Sequence, residues 1–275
     1  MSGTALDHVG VVGRDLAALA AAYRRLGFTL APLAPVAGGR IQNRCVMLRE
    51  GYLELMAVAP GGTSTTLERF LARHAGAHVI ALAVDDVGLT QDRLRLIGLD
   101  TPEPEQSERP IDAADPDGPR ARFLHLSVPD QPEARINLIQ HLTPRLLWQP
   151  HLLAHANHAV GLADVTIAVA APAETAMRLS RLAGRPVVPD PAGGYALDLS
   201  RGRIRLRPAE ELDVAPPMIT AIAVATDDDN AAIRGIVADN AIPHRTDRET
   251  MTIPASSSGG VSLEFRPSSR RRGRT

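Results

Sequence analysis

Apolar and polar positions fall into one short order four times along this chain. An apolar strand runs into a turn, a helix with one apolar face follows, and a polar loop then leads to one or more short strands. The opening strands end at Val12, Val84, Val169 and Val224, in the runs GVVGRD, ALAVDD, TIAVAAP and AIAVATDD. The closing strands carry Tyr52 to Met56, Arg135 to Ile139, Arg203 to Leu206 and Val261 to Phe265. In the first unit Asp15 caps a helix whose Leu16, Leu19, Tyr23 and Leu26 share a face, and Gly27 stops it. Strands near Cys45–Leu48 and Tyr52–Val58 are split by a turn at Glu50-Gly51. A short helix is predicted over Thr65–Arg73, a strand over His78–Val84 and a helix over Leu89–Ile97. Thr101 to Pro119, rich in Pro, Asp and Glu, reads as a long loop before strands at Arg122–Val128 and Ala134–His141. Farther on, Pro172 suits a helix start, and Asp227, Asp228 and Asp229 suit the dipole of another.

One such unit, mostly strand, cannot cover both faces of its own sheet, so the units should pair. The predicted fold is α+β: four modules, each a strand, a helix and further short strands, taken in two pairs. The expected divisions are a first module pair at 1–144, a linker at 145–160, a second pair at 161–267, and a basic disordered tail at 268–275. With 275 residues the chain is long enough for two such domains.

A formal net charge of -1 gives no electrostatic grip on nucleic acid, and 3% aromatic residues leave no stacking platform for bases. All 30 basic residues are arginine, which reads as the base composition of a bacterial genome. The one cysteine, Cys45, allows no internal disulfide. No signal peptide and no apolar run of membrane-spanning length is visible, so the cytoplasm is the expected location. The expected partner is a small molecule, with neither nucleic acid nor membrane, and a homodimer is compatible with a spare sheet face.

Strand alternation puts Tyr52, Glu54 and Met56 on one face and Leu53 and Leu55 on the other. The leucines suit helix packing, so Glu54 should point from the face away from the helices, where an apolar setting demands a cation, a donor or water. Asn43 and Arg44, after a Gly-rich loop, are candidates to hydrogen-bond a ligand carboxylate or carbonyl; turn chemistry and solvent are the alternative. His151 and His155 stand at i and i+4, but Leu152 occupies the place of the glutamate in an HExxH motif. His155 and Asn157 are instead expected to brace the junction between module pairs or to rim a ligand site. Cys45 in an apolar strand is expected to be a buried structural thiol.

Leu6-Asp7-His8-Val9-Gly10-Val11-Val12 with Arg14-Asp15-Leu16 resembles the first strand and turn of the vicinal oxygen chelate superfamily. Asn43-Arg44-Cys45-Val46, Gly51-Tyr52-Leu53-Glu54-Leu55-Met56 and His155-Ala156-Asn157-His158-Ala159-Val160-Gly161-Leu162 resemble its glyoxalase-like branch. The resemblance implies four βαβββ modules paired into two cupped mixed β-sheets with helices on the outer faces, a ligand cup in the first pair, a degenerate second pair, and metal ligands on the first and last strands of both modules of a pair. It assigns His8 and Glu54 as ligands of a divalent ion (zinc, nickel, manganese or iron), with Glu54 also the catalytic group. The second module departs from the pattern, offering Val79 and Asn137; the third and fourth offer Asp164, Arg205, Ile219 and Ser262. The implied function is action on a small oxygen-rich metabolite by lyase, isomerase or dioxygenase chemistry, with Asn43, Arg44, Asn137, His155 and Asn157 as substrate contacts. The alternative is a metal-free binding or sequestration protein.

Overall fold

The computed structural model describes residues 3–36, 38–112, 114–129 and 131–268, so the tail beyond Ser268 lies outside the described residues. The first half runs β1 (Ala5–Val12), α1 (Leu16–Arg25), β2 (Ala34–Val36), β3 (Ile41–Met47), β4 (Tyr52–Val58), α2 (Thr65–Arg73), β5 (Gly76–Ala83), α3 (Val87–Leu96), β6 (Glu105–Pro110), β7 (Arg120–Ser127) and β8 (Arg135–His141). The second half runs β9 (Ala159–Val169), α4 (Pro172–Ala183), β10 (Val187–Pro189), β11 (Tyr195–Asp198), β12 (Arg203–Pro208), β13 (Met218–Thr226), α5 (Ala231–Asp239), β14 (Arg245–Asp247), β15 (Thr250–Ile253) and β16 (Ser262–Pro267).

Each half forms one eight-stranded mixed sheet, ordered β2-β3-β4-β1-β5-β8-β7-β6 and β10-β11-β12-β9-β13-β16-β15-β14. The two orders are the same, place for place. At each centre the first strands of two modules run antiparallel, β1 with β5 and β9 with β13, and each lies parallel to the last strand of its own module. The predicted modules and their pairing are therefore observed.

The helices form where sequence chemistry starts them. Asp15 Oδ1 accepts from the amides of Ala17 and Ala18, Ser64 Oγ from Leu67, Asp86 Oδ1 from Leu89, and Asp228 Oδ2 from Ala232. Four helices pack on the outer faces. The fifth, α2, sets Leu67, Phe70 and Leu71 against Val12, Met56 and Val79 and walls one end of the first cup. The outer faces of both sheets share one continuous core, from Leu6, Val9 and Leu53 to Ile222 and Phe265, where Phe28 of the first half stacks on Phe265 at 5.8 Å. At the turn before β4, Gly51 has a φ of +81°, and a Cβ there would stand 2.7 Å from the Asp7 carbonyl oxygen.

The loop expected over Thr101 to Pro119 contains the edge strand β6, Glu-Gln-Ser-Glu-Arg-Pro. Its side chains are mostly solvated, so the strand exists through its ladder to β7 and shows no apolar alternation. The segment expected as a linker holds two short 3-10 turns, Pro144–Leu146 and Pro150–Leu152, and is fastened to the first sheet by Trp148 Nε1 donating to the Leu48 carbonyl at 2.9 Å.

Candidate functional site

The first sheet curls around a cavity of about 940 Å³. Tyr52, Met56, Phe70, Val79, Phe123 and Ile139 line its apolar part, and His8, Glu54, His125, Asn137, Arg109 and Arg135 are among its polar residues. Such a mixture, an apolar wall with a few convergent polar groups, is what small-molecule sites share.

A β-bulge organises the centre. Leu6 pairs with Leu82 and His8 with Ala81, so Asp7 is an extra residue on β1. Regular alternation would send Asp7 to the face opposite His8; the bulge brings both carboxylate and imidazole to the same side. Asp7 Oδ2 lies 2.8 Å from His8 Nδ1, and His141 Nε2 approaches both Asp7 oxygens at 3.0 and 3.1 Å. Asp7 is 1% exposed. Burial alone would raise its carboxyl pKa, but the hydrogen bonds and charge of His141 and His8 outweigh burial and hold it well below the usual carboxylate range. An ionised Asp7 only accepts, so His8 donates through Nδ1 and presents Nε2 to the cup. His8 also stacks on Tyr52, with ring centroids 4.4 Å apart.

Glu54 closes the pair. Its Oε2 stands 3.6 Å from His8 Nε2, and its Oε1 accepts from Asn43 Nδ2 at 2.5 Å. Because a carboxylate only accepts, the amide of Asn43 must present its NH₂ to Glu54, which leaves Asn43 Oδ1 buried and without a partner. Burial lowers the pKa of His125, on the same cavity wall, and favours its neutral form.

The remaining expected contacts fall elsewhere. Arg44 points away from the cup and donates to the Ala31 carbonyl at 3.0 Å. His155 and Asn157 line neither described cavity. His155 Nδ1 accepts from the Thr29 amide at 3.0 Å and its Nε2 donates to the Met47 carbonyl at 2.7 Å. Asn157 bridges the Leu26 carbonyl and the Ala159 amide. With every polar atom bonded to backbone, these two brace the junction, and the substrate contact expected of them is replaced by that role. Asn137 does line the cup, with its Oδ1 3.4 Å from Arg135 Nε. Cys45 is buried, and burial pushes its thiol pKa up to about 12. Neither Asp7 nor Arg109 stood out in the sequence: regular alternation would turn Asp7 away from His8, and Arg109 lies inside a predicted loop; the adjacent Asp-His pair was the available sign of the first.

The four positions that the resemblance assigns to metal ligands, His8, Glu54, Val79 and Asn137, converge on this cavity. Val79 has no donor atom, and among the described residues no group of three or more His, Cys, Asp and Glu is placed to hold a metal ion. The donor set therefore fits an exchangeable ion on two protein ligands and not a closed four-ligand centre. The matching positions in the second sheet, read through the strand registers, are Asp164, Arg205, Ala221 and Glu264. Ala221 and Glu264 replace the expected Ile219 and Ser262, because β13 extends two residues past Val224 before its turn.

Paired βαβββ modules around a cup with a His–Glu centre define a protein of the vicinal oxygen chelate class. Residues 6–183 match the glyoxalase-like domain family, and the chain belongs to it. No protein of curated function matches the sequence. Among solved structures, a hypothetical protein from Staphylococcus aureus superimposes with a TM-score of 0.70 at 14% identity, over 96% of this chain and 100% of that one. A mutant 4-hydroxymandelate synthase from Streptomyces coelicolor gives 0.64 at 15% identity, over 97% and 93% of the two chains. An Mn(II)-bound glyoxalase from Novosphingobium aromaticivorans gives 0.60 at 14% identity, over 97% and 83%. At these identities the likeness is one of fold.

Proposed function

We propose that the N-terminal cup binds a small oxygen-rich metabolite and that His8 and Glu54 transfer a proton on it. One observation carries this reading: the two side chains meet at 3.6 Å inside the cavity, each held from behind, His8 by Asp7 and Glu54 by Asn43. A hydroxyl or an acidified C–H placed against Glu54 Oε2 and His8 Nε2 loses its proton to one of them and regains one from the pair, the core of an isomerase reaction. The apolar wall of Met56, Phe70, Val79 and Phe123 limits water around the exchanging proton.

A second reading, a loosely held divalent ion, is favoured by the same outer partners, since metal-binding histidines and carboxylates are commonly oriented this way. His8 Nε2 and Glu54 Oε2 would hold the ion, and it would supply Lewis-acid polarisation of substrate oxygens. A cytoplasmic location accords with a single buried thiol. Among the described residues no helix is long and apolar enough to cross a membrane.

The test screens small hydroxy and carbonyl metabolites for thermal stabilisation, then follows solvent-deuterium uptake into those that bind. Wild-type protein should wash deuterium into a bound ligand, Glu54→Gln should bind without exchange, and His8→Ala should lose both. Binding without exchange in the wild type assigns the cup to sequestration; ligands unaffected by His8→Ala overturn the site. The same screen after chelation, and with added Mn²⁺, separates the two readings.

A further inference from the structure

The cup is lined by several arginines, and Arg109 differs from those whose partners are resolved. Arg120 Nε is paired with Glu108 at 2.7 Å, and Arg135 leans on Asn137. Arg109, half-buried on β6, has no carboxylate in ion-pair range among the described residues. Its guanidinium lies 6.0 Å from the Phe123 ring centroid, and its Nη2 stands 3.8 Å from Cys45 Sγ. That thiol, with its pKa pushed up to about 12, is neutral and a weak acceptor.

The position is also particular. Cys45 sits directly opposite Glu54 in the β3–β4 ladder, so Arg109 reaches the strand position beside the His8–Glu54 pair. Arg109 lines both the large cavity and a smaller one of about 220 Å³. The smaller cavity is bordered by Asn43, Met47, Ile111, Asp112 and Leu147, and the Oδ1 of Asn43 is buried without a partner. A planar fork of donors with no anionic partner, next to a proton-transfer pair, has the chemistry of a carboxylate clamp.

We infer that Arg109 anchors a carboxylate of the ligand, and that the substrate class is a small carboxylic acid whose neighbouring hydroxyl or C–H lies against His8 and Glu54. This rests on the cup being the ligand site. A singly charged carboxylate suits the wall better than a phosphate, because Glu54 and Glu108 line the same cavity and repel higher negative charge. The carboxylate takes the guanidinium from the Cys45 thiol.

The experiment is calorimetric titration of the intact chain with lactate, pyruvate and malonate, beside lactamide and inorganic phosphate as charge controls. Wild-type protein should bind at least one carboxylate at least tenfold more tightly than lactamide. Arg109→Gln should lose that preference, Arg109→Lys should restore part of it, and Glu54→Gln should keep or strengthen it. Circular dichroism melting of Arg109→Gln checks that its fold is intact. Equal binding by lactamide, equal carboxylate binding in Arg109→Gln, stronger binding of phosphate, or no carboxylate binding at all each overturns the inference. A neutral ligand that depends on His8 but not on Arg109 would leave the proposed cup function standing while this inference falls.

Discussion

In the first sheet the bulge on β1 carries Asp7, and the positions around it carry His8 and Glu54; in the second sheet β9 has the same bulge, and there it carries Ala163. Asp164 takes the place of His8 and Arg205 that of Glu54. Arg205 bonds Asp190 through Nε and Nη2 at 2.5 and 2.8 Å, and Arg266 bridges Asp164 and Glu264. The ion pairing lowers the pKa of Asp190 against the effect of its burial and raises that of Arg205. One backbone thus supports two outcomes. Where the register positions carry groups that leave lone pairs facing the cup, the cup can serve a ligand. Where they carry arginines and carboxylates that satisfy one another, the side chains serve the fold.

The largest expected effect separates the halves at the bulge. Asp7→Ala removes the anchor of His8 and His141 and should cost about 3 kcal/mol of stability in urea unfolding, with loss of cup ligands, although alanine is the residue at the matching place in β9. A small loss with binding intact would break the comparison. Next, Arg205→Ala leaves the carboxylate of Asp190, 1% exposed, without its cation and should cost about 2 kcal/mol while N-terminal ligand affinity stays unchanged.

A gain of function sharpens the same point. Val79→His with Asn137→Glu supplies the two missing donors of the first cup and should tighten Mn²⁺ or Zn²⁺ binding by at least tenfold in competition titrations, roughly the effect of adding ligands to an open site. Unchanged affinity would show that these positions do not converge on one ion.

The smallest effect is a slope with pH. His78 packs between Phe70 and His74, and burial lowers its pKa to about 4 from the ordinary 6.5. The unfolded chain takes up that proton first, so the contribution is intact above pH 6.5 and is lost as pH falls toward and through 4. His78→Phe should flatten unfolding free energy across that window in part, since burial also lowers the pKa of His125 and His155.

The repeat, the pairing of modules and the faces of Tyr52, Glu54 and Met56 were legible because alternation and capping are local signals. Thr65–Arg73 matched to the residue. What escaped was set by pairing between strands. The side-chain directions of Asp7 and His78 depend on bulges, which are properties of two strands and leave no trace in the periodicity of one. The link from His141 to Asp7 spans the sheet, and Arg109 stands on an edge strand with no apolar pattern to announce it.

A bulge holds its own residue outside the alternation, so exchanging that residue changes what stands behind the lining of the cup while every neighbour on the strand keeps its face. The chain contains this socket twice, with an acid in one and a methyl group in the other. For protein engineering, the bulge at position 163 is therefore where a supporting side chain can be installed beside Asp164 without moving a strand.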